Sequence, residues 1–363
     1  IVFTSSAPVS FRNYGDWGGV VLLGKAQNNQ SASQAIEGIS APTGDNGLYG
    51  GDGSTDNDNS GEMQYVRIEF AGIALSTDNE LNGLTFGGVG SGTKIDHIQV
   101  SYSGDDSYEW FGGKVNTSYL IAYRGWDDEF DTDFGFSGNN QFLVSFRDPN
   151  IADKSGSNGF ESDNNAQGDG KTPQTAATFA NVTFFGPYMF ANLSNGNLAA
   201  GNVSANYQRG AHIRRNSALK VYNCVFAGAN TLGIFFDQTS GSADFKGNYV
   251  GRIPQTSALV TPIPNALAGG TVYNTANFAT DNTIESPVNK VDVSATFAGS
   301  SANLWNIGTP SALLASGSAL LTGAVTLPAN PGLTQVPYRG AFDASNNWAS
   351  STWTNYDPNN KAY

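Results

Sequence analysis

Runs rich in β-branched and aromatic residues recur at 63–70, 94–102, 118–123, 141–146, 181–185 and 220–226, each followed by Gly, Asp or Asn. Apolar and polar positions alternate within them, the two-residue period of a half-buried strand rather than the helical period. Hardly any segment offers a helix. The Gly- and Asn-rich punctuation suits tight turns and left-handed backbone. One repeat per about 20 to 40 residues predicts an all-β chain wound as a right-handed parallel β-helix, a solenoid of stacked coils with irregular loops. Asn side chains inside such coils are placed to ladder. A sandwich or jelly roll is the competing architecture, and its signature would be hairpin turns at a spacing of about 8 to 12 residues.

The pattern weakens after Pro254, where Ala, Ser, Thr and Pro become common, and residues 311–327 are apolar and poor in charge. Residues 1–255 are therefore read as β-helix coils, and 256–363 as the final coils and capping segment of the same domain. The aromatic stretch 348–358 (WASSTWTNYDP) is expected to form the C-terminal aromatic cap, because a solenoid must cover its last apolar layer and its unpaired strand edge. The chain opens on Ile1-Val2-Phe3-Thr4-Ser5 as though a strand were already in progress.

Composition narrows the partners. The 363 residues carry 18 basic and 31 acidic side chains, a net charge of −13, and only 13% are charged. Nucleic acid and anionic lipid are disfavoured, since binding to either rests on Lys and Arg. No apolar stretch is long enough for a membrane-spanning helix. Cys224 is the only cysteine and has no intrachain disulfide partner. Its hydrophobic strand suits a small buried residue better than a nucleophile. Scarce sulfur fits an extracellular or outer-surface location.

Three long runs, at 15–26 (GDWGGVVLLGKA), 79–90 (NELNGLTFGGVG) and 155–163 (SGSNGFESD), resemble the right-handed parallel β-helix surface proteins and lipoproteins common in Bacteroidetes, some loosely labelled multidrug transporters. Residues 105–113 (DDSYEWFGG), 127–135 (DDEFDTDFG), 209–216 (RGAHIRRN), 338–342 (YRGAF) and 353–358 (WTNYDP) extend the likeness over nearly the whole chain. The resemblance implies the fold and a cell-surface location, with no settled activity or catalytic set. Such proteins carry further upstream coils and an export signal, so it also implies a start lost by truncation or processing. The other expectation is an open edge covered by another subunit, which would allow self-association through the β-helix ends.

The chemistry concentrates in the acidic runs. In residues 129–136, alternation places Phe130, Thr132, Phe134 and Phe136 on one face and Glu129, Asp131 and Asp133 on the other. If Glu109, Asp131 or Asp133, and Glu161 or Asp163 occupy neighbouring coils, they stack about 4.8 Å apart, a repulsive column that asks for cations, protons or basic neighbours. Calcium is the natural cation, since it prefers several hard oxygen ligands. The candidate metal ligands are Asp105, Asp106, Glu109, Asp127, Asp128, Asp131, Asp133, Glu161 and Asp163. The alternative is that these carboxylates cap turns and pair with Arg124, Arg147, Arg214 or Arg215. The polar segment 45–61 is a second calcium-loop candidate, but it lacks the terminal Glu and flanking helices of an EF-hand and reads better as a solvated turn.

His97 and His212 are too few for a multi-histidine zinc site, and the Gly-rich run 87–92 lacks the Lys-Ser/Thr ending of a phosphate loop. Trp17, Trp110, Trp126, Tyr108 and Tyr123 are either sugar-stacking platforms or, for the most part, core. The leading expectation is a secreted, calcium-stabilised structural or adhesive surface protein, a subunit of an extracellular filament being one form of it. The alternative is a carbohydrate-active protein that binds surface glycans or acts as a calcium-dependent lyase or hydrolase. No catalytic residue is assigned under the first; an enzyme would use Asp131, Asp133, Glu161 and Arg214.

Overall fold

A computed structural model describes residues 1–39, 44, 46–76, 79–189, 203–237, 243–251, 260–261, 275–285 and 310–363. The chain passes back and forth between two parallel sheets. Val2–Phe3, Glu62–Glu69, Lys94–Ser101, Asn116–Tyr123, Asn139–Phe146 and Thr178–Phe185 build the first sheet. It continues through the split strands Lys220–Tyr222 with Val225–Ala227 and Asp244–Lys246 with Tyr249–Gly251, and ends at Thr283–Ile284. The second sheet runs Val20–Leu23, Leu84–Gly87, Tyr108–Phe111, Phe130–Asp133, Ser157–Ser162, Tyr207–Arg214, Leu232–Asp237 and Val260–Thr261. Each strand pairs in parallel with its counterpart one coil later, the arrangement of a parallel β-helix. The expected boundary at 255 lies outside the described residues. Among those described, coils continue to Ile284, and the one α-helix, Thr275–Asp281, sends Phe278 into the core against Phe236 and Phe245.

All six apolar runs legible in the sequence fall in the first sheet. Within each strand their alternation is broken by a left-handed residue at one equivalent position: Tyr65, His97, Tyr119, Phe142, Asn181 and Asn223, with φ between 51° and 60°; Phe70, Tyr102 and Arg124 are left-handed again where the first three of these strands end. The residue within the strand bends it, so Ile95, Ile98 and Val100 all reach the core despite their uneven spacing. Inside, the register aligns like with like: Val66, Ile98, Leu120, Leu143 and Val182 form one ladder, and Leu84, Tyr108, Phe130, Phe160 and Ala211 another. Phe86 and Trp110 stack at 5.3 Å, and Trp110 and Phe136 at 5.5 Å. The buried Tyr108 hydroxyl lies 2.9 and 3.0 Å from the carbonyls of Ile98 and Ile121, which supply acceptors inside the core.

The C-terminal aromatic segment covers a flank of the stack. Residues 323–363 descend the outer side of the first sheet, from the coil of Asn223 to that of Glu69. Side-chain amides hold the strap reciprocally: Asn223 donates to the Val325 carbonyl and accepts from its N–H, Gln141 does the same with Thr334, and Gln99 with Asn355. Trp348, Phe342 and Tyr356 close a second apolar layer over Ile121, Tyr123, Val144 and Phe146. At the bottom the Tyr363 hydroxyl donates to Glu69 at 2.7 Å.

An acidic cleft over the second sheet

The second sheet turns its outer face toward a cleft of about 650 Å³ in which ten carboxylates meet three basic side chains, Lys154, Arg214 and Arg215. The strand register makes the column. Glu109 pairs with Asp131, Asp131 with Glu161, and Glu161 with His212. Their partners on the same strands, Tyr108, Phe130 and Phe160, point into the core, as the two-residue period requires. The left-handed turn before the sheet's next bend is set by glycine at Gly112, where an added Cβ would sit 2.5 Å from Asn28.

Seven of the nine candidate ligands converge here: Asp105, Asp106, Glu109, Asp127, Asp128, Asp131 and Glu161. Three triads place carboxylate oxygens within 4.8 Å of one another: Asp105–Asp106–Asp127, Asp106–Glu109–Asp131 and Asp128–Asp131–Glu161. Asp106 and Asp131 are each shared by two triads, so the groups form a continuous row. Asp133 and Asp163 stand outside it. Asp133 accepts from the Phe134 N–H at 2.6 Å, and Asp163 is held by Arg214 and Arg215, both at 2.8 Å.

Two expectations for residues 129–136 are corrected. Phe134 is left-handed, φ 52°, which reverses the alternation and turns its ring outward onto Phe111 at 5.5 Å, while Phe136 returns to the core. Glu129 precedes the strand and is buried, bonded to Arg147 at 3.1 Å rather than facing the acidic stripe. Buried Arg147 also donates to the carbonyls of Trp126, Asp127 and Ile151 and lies 4.9 Å from the Tyr207 ring centre. It fixes the turn that presents Asp127 and Asp128. Arg124 pairs at 3.6 Å with Asp148, which is not one of the nine candidate carboxylates.

Burial pushes every carboxyl of the row upward, Glu161 against the opposing pull of Arg214, Arg215 and Arg209. Asp105, Asp106, Glu109, Asp128 and Asp131 lie well above the usual carboxylate range, each for desolvation first and for neighbouring carboxylates second. Asp127 is raised to about 6 by burial and then by Asp153. Glu37 is raised to about 7 by burial and Glu80. At the far end, burial followed by Arg209 and Arg214 lowers His212 to about 3, so the last rung is neutral imidazole.

Some carboxylates are satisfied locally. Asp106 accepts from the Asp128 N–H at 2.8 Å, Asp128 from the Asn158 N–H, and Glu109 from the Asn82 amide. The buried Oδ1 atoms of Asp127 and Asp131 have no hydrogen-bond partner. Unpaired carboxylate oxygens gathered in one place are the donor set that a hard cation takes. Arg214 has its guanidinium on Glu161 and Asp163, which hold it in the charged form, so it contributes charge and does not accept a proton.

Glu37, Glu80 and Asp153 also line the cleft and were not singled out from sequence. Glu37 and Asp153 sit in loops and Glu80 in the short strand Asn79–Glu80, with no local pattern to connect them. In the second candidate loop, Asp45 lies outside the described residues. The others are engaged locally: Asp52 with Ser54, Asp58 with Ser60, and Asp56 with the Gln27 N–H and the Lys114 ammonium at 2.6 Å. Of the candidate platforms, Tyr108, Trp110 and Tyr123 are buried, Trp17 packs against the core, and Trp126 lines the cleft.

Stacked parallel coils bearing a polar cleft on one sheet's outer face define a β-helix protein with a surface-groove site. The chain belongs to the pectate-lyase-like β-helix domain family, whose profile matches residues 1–251. No curated protein and no solved structure matches the chain. No helix among the described residues is long and apolar enough to cross a membrane.

Proposed function

We propose that this is an extracellular, surface-displayed adhesive β-helix whose acidic cleft binds calcium and recognises glycans. The observation that carries this reading is the row of three triads joined through Asp106 and Asp131. Ten carboxylates against three basic groups leave a large negative excess, and the orphaned oxygens of Asp127 and Asp131 face no protein donor. Calcium suits an all-oxygen donor set, whereas zinc would seek His or Cys. Asp105, Asp106, Glu109, Asp127, Asp128, Asp131 and Glu161 would hold it. When bound, it neutralises the cleft and offers coordination positions to sugar oxygens. Arg214 and Arg215 add positive charge at the rim, which favours acidic sugars; without the cation, a chain of net charge −13 repels them.

The test is isothermal titration of calcium into EDTA-stripped protein, followed by glycan-array binding with and without calcium. Wild-type protein is expected to take up calcium and to bind acidic glycans only in its presence, and Asp106→Asn/Asp131→Asn to lose both. Absence of calcium heat together with an unchanged melting temperature would overturn the reading.

A further inference from the structure

A second cavity, also of about 650 Å³, lies where the C-terminal strap crosses the bend of the first sheet. It shares no lining residue with the acidic cleft. Tyr65 and His97, the first two members of the left-handed column, form its floor. Tyr65 and His97 stack at 4.6 Å, His97 and Tyr119 at 4.5 Å, and Tyr119 and Phe142 at 5.1 Å, all within 25° of parallel. Two indoles of the strap stand nearly perpendicular to these rings: Trp353 at 78° to Tyr65 and 79° to His97, Trp348 at 77° to Tyr119. Both indoles line the cavity. Its remaining wall is Asn346, Asn347 and residues 350–352 with Thr354, all amide or hydroxyl side chains, and no carboxylate, Lys or Arg lines it.

The column shares with Phe70, Tyr102, Arg124 and Phe134 a backbone that bulky residues rarely adopt. A bulky residue at positive φ is an outlier, whereas Asn tolerates it. At the equivalent position the later coils do use Asn, at Asn181 and Asn223, and spend the amides on anchoring the strap at Tyr338 and Val325. The earlier coils place Tyr65, His97, Tyr119 and Phe142 there instead. Strain of this kind persists where the side chain has a use that outweighs it. Tyr119 and Phe142 find theirs in packing under the strap. Tyr65 remains 51% exposed and His97 half-buried, at the cavity.

Aromatic walls beside a rim of hydroxyls and amides, with no carboxylate, Lys or Arg in the lining and with His97 paired to Asp96 at 2.5 Å, match the chemistry of a neutral sugar. Its C–H faces pack on ring faces, and its hydroxyls exchange hydrogen bonds with Asn, Ser and Thr. We infer that the Tyr65–His97–Trp353 cavity is a second glycan subsite, one for neutral oligosaccharides that needs no cation. This inference does not rest on the cleft.

The test uses the full chain in EDTA, titrated with cellohexaose, xylohexaose and mannohexaose while tryptophan fluorescence and heat are followed. At least one sugar is expected to give saturable binding that calcium does not alter. Trp353→Ala and Tyr65→Asn are each expected to weaken it about tenfold, the loss of one stacking contact. Tyr65→Asn is the variant that keeps the fold, because Asn occupies the same left-handed position in later coils. No saturable signal with any of the three sugars, unchanged affinity in Tyr65→Asn and Trp353→Ala, or binding that appears only with calcium would each overturn the inference. Calcium uptake by the cleft is read separately by calorimetry, so either reading can fail alone.

Discussion

The two faces of the second sheet carry the same strands at the same spacing and have opposite effects on stability. Inside, Tyr108 stacks on Phe130, and Phe130 packs at a tilt against Phe160. Outside, their neighbours Glu109, Asp131 and Glu161 stack charge upon charge. A solenoid repeats each position every coil, so it multiplies whatever a position carries: dispersion and apolar burial within, Coulomb repulsion without. The inner ladder needs nothing further, whereas the outer one is stabilised only by protons, basic neighbours or a cation.

Trp110→Ala should cost about 3–5 kcal/mol, because it empties a large site in a closed core. In denaturant melts that loss should be the same at pH 5 and pH 8 and with or without calcium. Arg147→Met should cost about 3 kcal/mol by leaving Glu129 buried and unpaired. Adding Glu129→Gln should recover most of it, and a double-mutant cycle measures the coupling. If Trp110→Ala proves as sensitive to pH and calcium as the outer-face variants, the contrast between the faces fails.

The outer face should respond to pH with a defined sign. Carboxyls raised in the fold bind protons that the unfolded chain has released, so their contribution is intact below about pH 4, the unfolded range. It is lost as pH rises through about 6 for Asp127 and about 7 for Glu37. In EDTA the melting temperature should therefore fall between pH 5 and pH 8. Calcium should restore it at pH 8 and change little at pH 5, where protons already occupy the row. Asp131→Asn should raise stability at pH 8 in EDTA by about 1–2 kcal/mol, roughly one pKa unit of relieved repulsion. The smallest effect belongs to the aromatic column, where Tyr65→Asn should be neutral or stabilising by up to about 1 kcal/mol, since Asn accepts left-handed backbone.

Much of this was legible. The six apolar runs marked six consecutive coils of the first sheet but not its two ends, and the acidic runs named seven residues of the cleft. Pairing with Arg214 or Arg215 was an expectation for the group as a whole, but that it takes Asp163 out of the row, and that Asp133 turns to the Phe134 N–H, was not legible, because the register between coils decides it. Glu37, Glu80 and Asp153 were missed for the same reason: their nearest acidic neighbours in space are distant in sequence. The aromatic cavity was hidden further, since Tyr65 and His97 interrupt strands whose alternation suggests no bend, and Trp353 reaches them from the far end of the chain.

The sequence by itself determined what each short segment does. A two-residue period with glycine and asparagine between runs makes strands and turns, and alternating Phe with Asp makes one face dry and the other charged. Only the tertiary structure decided which coil lies beside which, and therefore that carboxylates spread over some fifty residues share one row and that the C-terminal strap lies along a flank. Local propensity acts over a few bonds, while register between coils is set by interior packing and loop length. Loop length is the quantity the irregular repeat leaves unspecified.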